Sequence, residues 1–375
     1  MPDIPLGVLD LVPVSSGSTA AEALRNSIDL AQRTEGFGYA RYWFAEHHLN
    51  PGVVGTSPAV VLALTASATS TIRLGSGAVQ LGHRTALSTV EEFGLIDALH
   101  PGRLDLGLGR SGGRPPGARA TPLPAATPVV DGRAPNGLLI PPPFSLAHLL
   151  GSPRVALQLK LLRQPNAEPQ DYGEQVGDIL ALLAGTYRSA DGIEAHVVPG
   201  EGADVQVWIL GSSGGESAEV AGRNGLRFAA NYHISPATVL EAAEGYRAAF
   251  QPSEVLEKPH LSVSADVVVA EDDETARELA AGYGPWVRSI RTAEGAIPFP
   301  TPEEARAQAW TDADRALVQD RLDTRFVGSP GRVADQLAQL QEATAADELL
   351  ITTITHDHAD RVRSYELLAE EWRRR

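Results

Sequence analysis

Short apolar segments alternate along this chain with longer segments whose apolar residues recur every three or four positions. The first pattern is typical of buried β-strands and the second of amphipathic helices. Thr19 and Glu22 form a capping box that predicts a helix start, and Pro101-Gly102 predicts a helix end. Eight strands are predicted in this way, at 6–12, 39–44, 72–81, 103–108, 205–210, 226–230, 261–269 and 348–353.

Strict alternation of strand and helix implies parallel strands joined by right-handed crossovers. Eight such units predict a (β/α)8 TIM barrel, with an open doubly wound sheet as the alternative. The alternation stops over 111–170, where 146–162 is weakly helical, and again over 284–326, which is predicted to be irregular. Because it resumes each time, we interpret both stretches as insertions, after strands four and seven, in one domain spanning 1–375.

Composition narrows the function classes. The 375 residues carry a formal net charge of −16 and include no cysteine. An acidic chain lacks the basic surface that nucleic acid or an anionic membrane requires. The missing cysteines exclude disulfides, thiolate catalysis and cysteine-ligated metals. No apolar run approaches about 18 residues, and the N-terminus has no signal-peptide pattern, so we expect a cytoplasmic protein.

Glycine, histidine and arginine collect just after the predicted strands, which is where a TIM barrel carries its active site. The segment 211–215 is Gly-Ser-Ser-Gly-Gly and leads into a predicted helix near Glu216. Free N–H groups at such a helix start suit a phosphate dianion, and Arg110 could add a bidentate contact. An ordinary glycine turn is the alternative, since the Glu216 carboxylate would compete for the same helix dipole.

Two other patterns suggest dinucleotide binding and metal binding, and we predict neither. Residues 107–112 match G-x-G-x-x-G, but the prolines that follow preclude the helix which a dinucleotide site needs. His47 and His48 are adjacent, so on a strand they would point to opposite faces. His356 and His358 have chelating spacing but no further ligand motif, and a solvated loop is the simpler interpretation. No metal site is predicted.

With these residues in place, the chain resembles the bacterial luciferase-like flavin monooxygenases. The resemblance covers nearly the whole chain and depends on several motifs in the same order. They lie at 43–48, 72–77, 100–110, 208–213 and 326–330. The chain departs from the family pattern in a phosphate loop that has one extra residue and in a long, proline-rich insertion after strand four.

The resemblance implies a TIM barrel that binds FMN. The FMN phosphate would contact Arg110 and the loop residues Ser212, Ser213, Gly214 and Gly215. A non-proline cis peptide would lie at or next to Ser76-Gly77, beneath the flavin ring. His47 would lie beside the reactive edge of the flavin as a proton donor or acceptor, a task that an unperturbed imidazole pKa of about 6.5 would suit.

The expected function is a two-component monooxygenase that oxidises a small organic substrate with oxygen and reduced FMN from a separate flavin reductase. A deazaflavin-dependent dehydrogenase or reductase and a non-catalytic flavin-binding subunit are the alternatives. By resemblance, we expect a homodimer. The two long insertions would suit a lid over the site, because loops over a rigid barrel carry such functions. The candidate substrate or lid residues, in which arginines would favour an anionic or polar group, are His83, Tyr232, His233, Trp286, Arg288 and Arg291.

Overall fold

The computed structural model describes residues 4–110, 129–145, 149, 151–163, 167–168 and 170–375. With the exception of a short strand at 326–328, its strands lie where strands were predicted. They are β1 (Leu6–Asp10), β2 (Arg41–Phe44), β3 (Arg73–Ser76), β4 (Val79–Gln80), β5 (Leu104–Gly109), β6 (Val205–Gly211), β7 (Arg227–Asn231), β8 (Leu261–Val269), β9 (Phe326–Gly328) and β10 (Glu348–Thr352).

The sheet closes on itself. The strands follow the order β10-β1-β2-β3-β5-β6-β7-β8, and β8 pairs in turn with β10. All these pairings are parallel, so the predicted eight-stranded TIM barrel is confirmed. The predicted third strand is divided into β3 and β4, which both pair with β5, and a cis peptide at Gly77-Ala78 lies between them.

The helices surround the barrel. They are α1 (Ala20–Gly36), α2 (Pro58–Ala66), α3 (Ala86–Asp97), α4 (Pro153–Leu162), α5 (Tyr172–Leu183), α6 (Glu216–Arg223), α7 (Val239–Ala249), α8 (Asp273–Leu279), α9 (Tyr283–Arg291), α10 (Pro302–Ala307), α11 (Asp312–Asp323), α12 (Pro330–Thr344) and α13 (His358–Arg373). Thr19 makes the predicted capping box with Glu22 at the start of α1. None of the described helices is long and apolar enough to cross a membrane.

A buried polar cluster fills the barrel near the N-terminal ends of the strands. Arg41 donates to Asp105 at 2.5 Å and to Glu348 at 2.6 Å, and the Trp43 indole N–H donates to Asp105 at 2.8 Å. Trp208 packs edge-on against Trp43 with ring centroids 5.0 Å apart. Because this end of the barrel is packed, the space for ligands lies at the C-terminal ends of the strands.

The prediction that 284–326 is irregular is wrong, because this stretch contains most of α9, then α10 and α11, and β9 at its end. Pro285 lies in the first turn of α9 and Pro302 begins α10. Proline is tolerated in a first helical turn, where its missing N–H has no intrahelical partner to lose. In the first insertion, residues 153–162 of the weakly helical prediction 146–162 form α4, while 111–128, 146–148 and 150 lie outside the described residues.

Candidate active site

Two adjoining cavities lie at the C-terminal ends of the strands. The first, which we call the polar cavity, has a volume of about 560 Å³ and extends from Gly77 to Arg110 and Ser217. The second, the apolar cavity, has a volume of about 460 Å³ and extends to Phe144 and Trp286. The residues that line both cavities are Leu11, His47, Ser212, Ser213, His233 and Ile234. Molecules in the two cavities would therefore meet at this shared boundary.

His47 lies at the boundary because the segment after β2 turns towards the barrel mouth. Its backbone N–H donates to the Gly55 carbonyl at 2.8 Å. Among the described residues, its buried Nδ1 has no hydrogen-bond partner. Burial, and to a lesser degree the nearby His48, lowers the pKa of His47 to about 4 against the opposing effect of the Glu46 charge. The expectation of an unperturbed pKa is therefore wrong, and His47 is a neutral hydrogen-bonding group at pH 7.

Glu46 fixes the segments around His47. One carboxylate oxygen accepts hydrogen bonds from Nε2 of His48 and of His83, each at 2.9 Å, and the other accepts from the Gln80 backbone N–H at 3.0 Å. Burial alone would raise the pKa of Glu46, but hydrogen bonds from His83, Gln80 and His48 lower it to about 2. His83, a predicted substrate residue, is held by Glu46 and lies outside the lining of both cavities.

The same cluster has the residue types of a divalent metal site, because ligand atoms of Glu46, His48 and His83 lie within 4.8 Å of one another. However, Arg84 Nη2 lies 3.3 Å from the same Glu46 oxygen and brings a positive charge to it. A hydrogen-bonded hub therefore accounts better for the arrangement. His356 and His358 do not face a common ligand, since His356 contacts the Ser16 carbonyl oxygen and His358 contacts Asp29.

The far end of the polar cavity has the features that a phosphate requires. Helix α6 begins after Gly215 without a side-chain cap, and the hydroxyl-bearing residues Ser212 and Ser213 are exposed beside it. Arg110 lines the cavity with 34% of its side chain exposed, and its Nη1 lies 3.3 Å from the Glu216 carboxylate. This end therefore combines a cation, hydroxyl groups and a helix start, and the Glu216 carboxylate opposes an incoming phosphate.

Helix α7 supports the phosphate loop from behind. The Gly214 N–H donates to the Glu241 carboxylate at 3.1 Å. A Cβ at Gly245 would lie 2.7 Å from the Gly214 Cα, so the loop and helix backbones are in direct contact. Of the predicted loop residues, Ser212 and Ser213 line the polar cavity, whereas Gly214 and Gly215 lie outside its lining. Glu241 was not predicted, because nothing in its local sequence marks it as facing the loop.

The side of the polar cavity formed by strand three includes Gly77 and Ala78, which are joined by the cis peptide bond. This bond is next to the predicted Ser76-Gly77 position. The Ser76 hydroxyl is fully buried and contacts both the N–H and the carbonyl of Gly107 at 2.9 Å. Ser76 therefore joins β3 to β5, and it is Gly77 that lies at the cavity.

His233 lies opposite His47 at the boundary. Its Nδ1 is 2.6 Å from the Ser264 hydroxyl, and burial lowers its pKa to about 4. Its neighbour Tyr232 faces away, because its hydroxyl donates to the Leu139 carbonyl at 2.7 Å and its ring stacks on Phe326. Of these two predicted substrate residues, only His233 reaches a cavity.

The two predicted arginines both have partners within the protein. Arg288 donates to Asp314 at 2.5 Å and lies outside the lining of both cavities. Arg291 lines the apolar cavity beside Trp286, but both of its terminal nitrogens contact Asp320. Asp320 was not predicted as a site residue, since it lies on a helix in a stretch that was predicted to be irregular. Neither arginine therefore provides a reason to expect an anionic substrate.

The luciferase-like monooxygenase family model matches this chain over residues 4–129 and 177–347. The chain belongs to this family. It is 36% identical over its full length to "Uncharacterized protein YvbT" of Bacillus subtilis, of which it covers 98%. It is 32% identical to an Escherichia coli "Luciferase-like monooxygenase", with 97% of this chain and 96% of the relative covered.

Solved structures agree with this assignment. The structure of apo-MsnO8 superposes with a TM-score of 0.78 at 31% identity and covers 99% of this chain, with 98% of MsnO8 covered. Two more distant structures share the fold. One is an FMN complex of the oxygenating constituent of 3,6-diketocamphane monooxygenase from Pseudomonas putida, with a TM-score of 0.64, 17% identity and 98% of each chain covered. The other is the coenzyme F420-dependent tetrahydromethanopterin reductase from Methanopyrus kandleri, with a TM-score of 0.59, 16% identity and 98% of each chain covered.

Proposed function

We propose that this luciferase-like protein is a two-component flavin-dependent monooxygenase. It would take reduced FMN from a separate flavin reductase and use molecular oxygen to oxidise a small organic molecule, with the homodimer as its assembled form. The observation that carries the proposal is the position of His47 and His233, two neutral imidazoles on the boundary shared by a polar and an apolar cavity. Such a boundary suits contact between a cofactor and a substrate.

The polar cavity fits FMN by the chemistry of its donors. Arg110, the Ser212 and Ser213 hydroxyls and the uncapped start of α6 would hold the phosphate. Gly77 and Ala78 would lie against the ring system. Glu216 would have to give up its contact with Arg110, a moderate cost because both side chains are partly exposed to water.

Bound reduced FMN would supply the electrons that activate oxygen for transfer to the substrate. The protein's own part is to exclude water and to place hydrogen-bonding groups. Leu11, Ile234 and the apolar cavity provide a water-poor surface beside the boundary. His47 would donate or accept one hydrogen bond there, and its low pKa keeps it uncharged throughout the neutral range.

Two alternatives remain as outcomes of the test. A deazaflavin-dependent dehydrogenase is favoured by the F420-dependent relative of the same fold. Against it, deazaflavin coenzymes often carry anionic tails, and a chain with a formal charge of −16 would attract them poorly. A flavin-binding subunit without turnover would need neither His47 nor the adjoining apolar cavity.

The deciding experiment mixes the protein, loaded with reduced FMN, rapidly with oxygen. We expect a transient absorbance that matches neither reduced nor oxidised FMN and that decays at least tenfold faster in His47→Gln. His196→Gln is the matched control, because His196 is an exposed histidine remote from both cavities. Direct return of the oxidised spectrum at the rate of free FMN would contradict a monooxygenase.

Two further readouts separate the alternatives. Hydride transfer from the protein-bound reduced deazaflavin, with no oxygen-dependent transient for FMN, would support the dehydrogenase. Bound FMN that the reductase cannot turn over would support the subunit.

A further inference from the structure

The apolar cavity is built from hydrocarbon surfaces of distant segments. Leu11 follows β1, Val53 follows β2, Phe144 belongs to the first insertion, Trp286 lies on α9 and Ile354 follows β10. Cavities of about 300–1,000 Å³ with such walls take small organic molecules. At about 460 Å³ this one has the size for a substrate.

Four charged side chains also line this cavity, and each cation is joined to an anion. Both terminal nitrogens of Arg291 contact the Asp320 carboxylate, one of them at 2.8 Å, and only 5% of the Arg291 side chain is exposed. The Arg321 Nη2 donates to Asp266 at 3.2 Å, with 9% of the Arg321 side chain exposed. Two arginines and two aspartates give this part of the wall no formal net charge.

Further contacts hold the two guanidinium groups. The Arg291 guanidinium lies 3.7 Å from the centroid of the Phe144 ring, and its Nη1 donates to the Leu317 carbonyl at 2.5 Å. Arg321 donates to the Tyr283 hydroxyl at 2.5 Å, and the same hydroxyl contacts Asp266. An incoming anion would have to replace a buried carboxylate, which is costly because that carboxylate would then lose its partner.

We propose that Asp320 and Asp266 determine substrate specificity by neutralising Arg291 and Arg321, so that the apolar cavity selects an uncharged, predominantly apolar molecule and rejects carboxylates. This inference rests on the proposed function, since it treats the cavity as the substrate site. It names the two aspartates as the cause of the selection. Removal of one aspartate should therefore change the preferred ligand and not merely weaken binding.

The test is calorimetric titration at pH 8 of the cofactor-free protein carrying Arg110→Met, which removes the cation of the polar cavity that would itself bind an anion and is kept in every variant compared. The ligands are octan-1-ol and octanoate, which have the same chain length and differ in charge. We expect octan-1-ol to bind at least tenfold more tightly than octanoate. Hexan-1-ol should bind roughly tenfold more weakly than octan-1-ol, because each buried methylene changes affinity by about three- to fourfold. Octan-1-ol that does not bind, or octanoate that binds as well, would overturn the proposal.

Asp320→Asn tests the cause. It should strengthen octanoate binding about tenfold or more, because an uncompensated arginine then faces the cavity. Octan-1-ol binding should change less than twofold, and Arg291→Met combined with Asp320→Asn should abolish the gain. Asp314→Asn is the matched control, because Asp314 pairs with Arg288 between the same two helices but outside the cavity.

An unchanged ratio of the two affinities in Asp320→Asn would refute the assigned role. If that variant does not fold, Asp266→Asn makes the same test at Arg321. Because no FMN, oxygen or turnover is involved, selection against charge could hold even where the monooxygenase proposal fails. Equally, oxygen chemistry could be established while the predicted preference fails, so the two outcomes are distinguishable.

Discussion

The two cavities at the barrel mouth use arginine in opposite ways. In the polar cavity, Arg110 is one-third exposed and its contact with Glu216 is 3.3 Å long. In the apolar cavity, Arg291 is almost fully buried and Asp320 contacts both of its terminal nitrogens. The first arrangement leaves a cation ready to exchange its partner, whereas the second removes a cation from ligand binding.

This difference shows that the charge of a side chain says little about its ligand until its partner is known. An exposed ion pair contributes little to stability and is easily exchanged for a phosphate. A buried pair that loses one member leaves an uncompensated charge, which costs far more. The polar cavity is therefore suited to bind an anion, and the apolar cavity to exclude one.

The largest expected effect comes from replacing an arginine by methionine, once in the polar cavity and once in the apolar cavity. Arg110→Met should weaken FMN binding by about ten- to a hundredfold, because a hydrogen bond to a charged group contributes roughly 1.5–3 kcal/mol. Arg291→Met, the control, should change FMN affinity less than twofold. Quenching of FMN fluorescence measures both. Equal losses in the two variants would remove the distinction between the cavities.

A second substitution alters the polar cavity without touching its donors. Gly245→Ala would place a methyl group 2.7 Å from the Gly214 Cα and displace the phosphate loop. We expect the free energy of unfolding in urea to fall by about 1–3 kcal/mol and FMN binding to weaken, since neither backbone can easily yield.

Gly177→Ala is the matched control for this displacement. A Cβ at Gly177, within α5, meets nothing within 4 Å, so the variant should gain about 0.5–1 kcal/mol of stability and leave FMN affinity unchanged. If Gly245→Ala behaved in the same way, the loop would not depend on contact with α7.

The barrel could be predicted from the sequence because each strand and helix has its own local pattern. The same is true of the loop 211–215, whose glycines and serines are consecutive. In 284–326, which was predicted to be irregular, the structure depends on whether a proline ends a helix or lies in its first turn, as Pro285 and Pro302 do. That distinction depends on where each helix begins, which the local pattern did not reveal.

The environment of the site could not be predicted because it depends on residues distant in sequence. Asp320 is 29 positions from Arg291, and Asp266 is 55 positions from Arg321. Arg288 and Arg291, the two arginines that were predicted to face a ligand, were named without knowledge of these partners, and Arg288 lines neither cavity. The low pKa of His47 likewise results from burial by segments that the local sequence does not identify.

The boundary between the cavities should make the fold sensitive to mild acid. The pKa values of His47 and His233 are about 4 in the folded protein, below the unperturbed value of about 6.5. The unfolded chain then binds more protons between these values, so stability falls as pH decreases from 6.5 towards 4. Each histidine should contribute a loss of about 1–2 kcal/mol between pH 6.5 and 4.5.

Urea unfolding at several pH values measures this loss. The double variant His47→Asn, His233→Asn should flatten the curve over this range, whereas His196→Asn, at an exposed position, should not. An unchanged slope in the double variant would mean that neither histidine is held neutral by burial.

The smallest expected effect concerns Glu216, whose carboxylate lies beside Arg110 at the phosphate end of the polar cavity. Its carboxylate stabilises the start of α6 but also competes for Arg110. Glu216→Gln should therefore lower stability by about 0.3–1 kcal/mol while strengthening FMN binding a few-fold, two effects of opposite sign on separate measurements. The gain in FMN affinity should shrink as the salt concentration rises, because Glu216 and Arg110 are partly exposed and their interaction is screened.

Glu219→Gln, in the same helix and paired with Arg223, is the control and should leave FMN affinity unchanged. A loss of FMN affinity in Glu216→Gln would instead mean that the carboxylate orients Arg110 for the phosphate, and the weak pair would then belong to the binding site.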